Sequence, residues 1–152
     1  RIAGDGEDLA MLTGRGRVRA DAALGIGSDV ADGSFGGRLE GAGRVTKLGR
    51  RTLALTGASD LAGDLRVRAG TLALTGDEAK LVVQGALSVQ RDGRFELQDG
   101  LLDAARITLL GGAFAFTGGQ LQVDRFEGTL TNLGGTLAPG HSPGTTTIVG
   151  DY

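Results

Sequence analysis

The hexapeptide Thr52-Leu53-Ala54-Leu55-Thr56-Gly57 returns nineteen positions later as Thr71-Leu72-Ala73-Leu74-Thr75-Gly76. Each copy alternates leucine with threonine or alanine, which gives a strand one apolar face. Each copy closes on glycine, where a chain can reverse sharply. An exact recurrence at so short a period constrains the fold more than any other feature. A unit of this size cannot bury its own apolar face, so it needs copies stacked above and below it.

Composition agrees with many short strands and tight turns. Glycine supplies 29 of 152 residues, against a usual share of roughly 7%. Only two prolines occur, which argues against a disordered linker, and glycine has no period of three, which excludes collagen. Aromatic residues are 4% of the chain, so the core is aliphatic and thin. No amphipathic helix emerges. The best helical stretch, residues 79–89, is interrupted by Gly85, and Leu81, Val83, Leu87 and Val89 keep period two.

The apolar clusters fall into three columns. One runs Leu53/Leu55, Leu72/Leu74, Phe95/Leu97, Phe114/Phe116 and then Leu133, with first-residue steps of 19, 23 and 19 before the last. A second runs Leu61, Leu81, Leu101, Leu121 in equal steps of 20. A third runs Leu65/Val67, Leu87/Val89, Ile107/Leu109 and then Leu130. Three columns imply an all-β chain folded as a three-faced parallel β-helix, a β-solenoid with about 20 residues per coil and roughly seven coils. Coils stacked at about 4.8 Å would make a rod of about 35 Å. The competing architecture is an antiparallel sandwich or meander. The columns blur over the first thirty residues, and Thr147-Ile148-Val149 reads as the start of a further coil.

Charge and motifs narrow the function. The net charge is −2 with both signs interspersed, so a nucleic-acid partner has no basic block to bind. Cysteine is absent, which removes disulfides and thiolate metal sites. No apolar run approaches the roughly 20 residues of a membrane helix. The chain opens on Arg1, so residues 1–152 are read as one solenoid segment of a longer or processed polypeptide. Solenoid ends expose unpaired backbone groups, which makes copies of the chain, or neighbouring coils of its parent, the expected partners.

Several residues are candidates for sites. His141 beside Ser142 could suggest nucleophilic catalysis, but it sits between Pro139-Gly140 and Pro143-Gly144 and reads as a turn. Asp5, Glu7 and Asp8, and then Asp29 and Asp32, are acidic groups without a calcium-loop pattern. Asp77 with Asp99, and Asp103 with Asp124, lie 22 and 21 residues apart. They could face one another across a coil as a glycosidase pair would. Arg15, Arg17, Arg19, Arg66 and Arg68 could touch an anionic glycan or simply line a solvated face. Gly25-Ile26-Gly27 lacks the third glycine and the helix of a dinucleotide site. No catalytic, cofactor-binding or metal residue is therefore assigned.

Two stretches carry a family resemblance. Residues 32–49, from Asp32 through Gly41-Ala42-Gly43-Arg44-Val45-Thr46-Lys47-Leu48-Gly49, lead into the first hexapeptide. Ala58-Ser59-Asp60, Gly63, Val67 and Ala69-Gly70 lead into the second. Residues 32–76 thus resemble the autotransporter-associated β-strand repeat of bacterial secreted passenger domains. There a G-x-G-x-L/V-x-K-x-G segment precedes T-L-x-L-x-G, and a short link and a V-x-x-G-T-L strand follow. Residues 134–152, a Pro/Gly turn segment with Gly134-Gly135-Thr136-Leu137-Ala138-Pro139-Gly140-His141-Ser142-Pro143-Gly144, are similar to a segment found late in such proteins. Asn132 is the only asparagine, so this chain lacks the family's usual asparagine richness. The resemblance implies a right-handed β-helix, secretion, and a place at the bacterial cell surface or in extracellular matrix. It implies a structural rod for adhesion, display or self-assembly into fibres, without enzymatic activity. The alternative is a polysaccharide-cleaving or glycan-binding β-helix, with a surface glycan as partner.

Overall fold

The computed structural model describes residues 7–9, 16–21, 23–27, 29–30, 32–139 and 146–150. The described residues contain no helix, and sixteen strands join in one sheet that winds as a β-solenoid of about six turns, roughly 20 residues apart. Every strand ladder is parallel, and the lone antiparallel contact is an isolated bridge between Gln90 and Gly111. That pattern rules out the antiparallel sandwich.

Each coil presents three faces. The first face stacks Arg17–Arg19, Arg38–Gly41, Ala58–Leu61, residues 80–83, 101–104 and 120–123, and Thr136–Pro139. On the second face, Glu7–Leu9, Leu24–Ile26, Val45–Lys47 and residues 65–67, 87–89, 107–109 and 125–127 are stacked, closing on Thr147–Val149. The third face holds Gly33–Phe35, Thr52–Leu55, residues 71–74 and 94–97, Ala113–Phe116 and Thr131–Asn132. The two hexapeptides lie directly above one another, Thr52 on Thr71, Leu53 on Leu72 and Leu55 on Leu74. Their leucines point inward and are buried, and Phe95/Leu97 and Phe114/Phe116 continue the stack. Phe95 and Phe114 are parallel with ring centroids 5.4 Å apart, and Phe126 meets Phe114 edge-on at 5.5 Å.

Three readings of the sequence need correction. In the second column, Leu61 pairs with Val83 and Leu81 with Leu102, so Leu101 points outward between Lys80 and Gln120. The equal steps of 20 fail because the link between the third and first faces grows from Thr56-Gly57 to residues 75–79 in the next coil, where the Ala79 N–H closes a turn on Gly76 O. Leu130 does not continue the Ile107 column; Phe126 does. Leu130 is buried on the third face, one residue before the Thr131–Ala115 pair, and Leu133, expected there, is 72% exposed. Finally Ala58-Ser59-Asp60, the short link of the family pattern, is itself a strand with Ser59 pointing inward.

Glycine at the corners follows from stacking. A Cβ on Gly57 would collide with the carbonyl oxygens of Gly36 and Gly37 in the coil before. Gly119 needs both the space, with Gly100 O 2.7 Å from its Cβ position, and a φ of +69°.

Candidate functional site

Outward side chains on this scaffold are spaced by the fold, two residues apart along a strand and one coil apart across it. Most charges outside are already used. Arg17 and Arg38 meet Glu40 at 3.4 and 2.7 Å, Arg19 meets Asp21 at 2.7 Å, and Arg94 meets Glu96 at 2.8 Å. Arg106 and Arg125 share Glu127 at 3.6 and 3.3 Å. Arg17 and Arg19 thus form ion pairs on the first face and do not present free cations.

The aspartates considered as metal ligands cap backbone. Asp29 accepts from the Arg50 N–H and Asp32 from the Thr52 N–H, each at 2.9 Å and one coil away. Asp64 does the same for Ala86 at 2.9 Å. These carboxylates satisfy corner donors between coils. Among the described residues no group of three or more His, Cys, Asp or Glu side chains is placed to hold a metal. Glu7 and Asp8 lie on the strand Glu7–Leu9, while Asp5, Arg15, His141 and Ser142 fall outside the described residues. Asp103 is paired with Gln122, so Asp124 does not face it. Gly25-Ile26-Gly27 is mostly strand on the second face, with Ile26 buried, and no helix follows.

Two surfaces remain. Arg44, Arg51, Arg66, Arg68 and Arg91 have no ion pair among the described residues. Arg44 lies at the corner between the first and second faces, Arg66 on the second face, and Arg51, Arg68 and Arg91 at the corner where the second face turns into the third, over three consecutive coils. Opposite them along the third face is an open groove of about 560 Å³ at the corner leading to the first face. It is lined by Asp77, Glu78, Lys80, Asp99 and Gln120, among others. Asp77, Glu78 and Asp99 have no side-chain hydrogen bond or ion pair among the described residues. The sequence reading found Asp77 with Asp99, and Arg66 with Arg68, but not the segregation of the two signs. That segregation depends on which corner each residue occupies.

Sequence reasoning also passed over Lys47 as a structural residue. It occupies an inward position between Ile26 and Val67 and has no solvent exposure. Its Nζ donates to Leu48 O at 2.7 Å, Gly49 O at 2.9 Å and, in the next coil, Ala69 O at 3.1 Å. Loss of hydration pushes its pKa down to about 8, with the Asp29 carboxylate pulling the other way. The period-two pattern Val45-Thr46-Lys47 was the available signal.

Comparison with family models, curated proteins and solved structures returned no match. The resemblance at residues 32–76 therefore stands on those residues alone.

Proposed function

We propose that this chain is a structural segment of a secreted bacterial surface or extracellular-matrix protein, a stiff β-solenoid rod used for adhesion, display or self-assembly. The observation that carries this reading is the continuity of the stack. Ladders of backbone hydrogen bonds run coil to coil on all three faces around one buried aliphatic column. The corner carboxylates of Asp29, Asp32 and Asp64 are occupied in joining coils. About six turns at about 4.8 Å give a rod of about 30 Å. The passenger-type resemblance supports the extracellular assignment. Protease treatment of intact producing cells, followed by detection of the chain, tests it. Loss of the chain from intact cells, or its recovery from the medium, is expected; full protection inside the cells would refute it.

A second reading has one specific observation in its favour. The groove is lined by Asp77 and Asp99 with Gln120, and glycan-cleaving enzymes commonly work with two carboxylates. Incubation with acidic and neutral polysaccharides, read by release of reducing ends, discriminates the two. Cleavage abolished by Asp99→Asn would favour the enzyme over the rod.

A further inference from the structure

Unpaired cations precede the third face, Arg66 on the second face and Arg68 and Arg91 at the corner, and unpaired acids follow it in the same coils. In the coil of residues 58–79, Arg66 and Arg68 precede the third-face strand, and Asp77 and Glu78 follow it. In the coil of residues 80–100, Arg91 precedes the strand and Asp99 follows it. Each surface also holds one residue of the opposite sign. Lys80 is the cation lining the groove, and Asp92 is an exposed acid beside Arg91, both in that second coil. The face between them carries the small outward side chains Ala54, Ala73 and Ala115, and the large outward side chains Arg94 and Glu96 on it pair with each other.

We infer that the arginine corner of one copy docks in the acidic groove of a second copy, so that rods associate side by side through charge. This inference rests on the rod reading above. A translation by one face width, without rotation or axial offset, sets Arg66 and Arg68 against Asp77 and Glu78. The same movement sets Arg91 against Asp99. Because the two surfaces differ, the contact is head-to-tail, and because it needs no rotation, it does not close. It propagates as a flat raft of parallel rods. Exposed ion pairs are weak singly and screened by salt, so the raft depends on several pairs engaging together along each rod. A nucleic acid is a poorer occupant of the arginine surface. It would require aromatic platforms for single strands, and the described phenylalanines are buried in the core.

The test is sedimentation of the purified chain at low and high salt. Wild type is expected to show a weight-average mass at least about twofold higher at about 20 mM than at about 500 mM NaCl, where the Debye length is short. The triple variant Arg66→Glu, Arg68→Glu, Arg91→Glu and the triple variant Asp77→Lys, Glu78→Lys, Asp99→Lys should each stay monomeric at low salt. Their equimolar mixture should associate again, since each then offers what the other lacks. The variant Arg66→Gln, Arg68→Gln, Arg91→Gln covers the case in which reversal disturbs folding, and it too should stay monomeric. Circular dichroism and resistance to proteolysis report the rod independently. Folded, resistant wild type that stays monomeric at low salt overturns the docking but leaves the rod intact. Association of either reversed variant alone, or no recovery on mixing, also overturns the docking. So does wild-type association that requires added alginate. An unfolded, protease-sensitive wild type would instead defeat the rod reading itself.

Discussion

At the scale of single residues, the inward columns accept polar groups only where the backbone supplies partners. Ser59 stands in the first-face column and accepts the Leu39 N–H at 3.2 Å. Lys47 stands in the second-face column and ties two successive corners through three carbonyls. Replacing Lys47 with methionine keeps the length but leaves those carbonyls without their donor. We expect a loss of about 1–3 kcal/mol at neutral pH in urea unfolding. The pH dependence has a definite sign. The pKa of Lys47 is about 8 in the fold and 10.5 in its ordinary state. Between those values the unfolded chain holds more protons, so the stability contributed through Lys47 rises with pH across that window and is flat outside it. The stability gap between wild type and Lys47→Met should therefore widen from about pH 8 to about pH 10.5; a constant or shrinking gap would contradict this. Such residues were hard to read in advance because periodicity marks an inward position but says nothing of the carbonyls waiting there.

At the scale of strands and corners, the third face was the most legible. Its two exact copies set the register, and Leu53, Leu72, Phe95 and Phe114 fall in one ladder as their spacing suggested. The first face was misread because corners vary in length while strands do not. Residues 75–79 lengthen one corner, and between Val89 and Asp92 the register slips. In Leu101-Leu102 only hydrogen-bond register decides which leucine is inside. Core positions should respond accordingly. Leu72→Ala, fully buried between Leu53 and Phe95, should cost about 2–5 kcal/mol. Leu133→Ala, at 72% exposure, should stay within about 0.5 kcal/mol. The corners offer a second comparison by thermal melting. Gly57→Ala drives a methyl into the coil below and should cost about 1–3 kcal/mol. Gly76 has open space around it but a φ of +97°, so Gly76→Ala should cost about 1–2 kcal/mol. Gly16 has open space and no such φ, so its replacement by alanine should be neutral within about 0.5 kcal/mol. Equal effects at Gly57 and Gly16 would remove stacking as the reason for glycine at the corners.

At the scale of the whole molecule, each coil touches chiefly the coils on either side, so a coil is a removable unit. The exact repeat offers a clean way to remove one. Deleting Leu53 through Thr71 takes out 71 − 53 + 1 = 19 residues and joins Thr52 to Leu72, which restores Thr-Leu-Ala-Leu-Thr-Gly without a foreign junction. Residues 72–74 then fall beneath Gly33–Phe35, residues 80–83 beneath Arg38–Gly41, and residues 87–89 beneath Val45–Lys47. Every inward column stays continuous. Deleting Leu53 through Ala62 removes 62 − 53 + 1 = 10 residues, about half a coil, and places strands of one face under strands of another. Because a mismatch of faces moves apolar side chains out of the stack, the two deletions should behave oppositely. The 19-residue deletion should keep a β-type circular dichroism spectrum and a cooperative melt. The 10-residue deletion should lose the melt and become sensitive to protease, although it removes less of the chain. If the shorter deletion is the better tolerated, the molecule is not held together coil by coil.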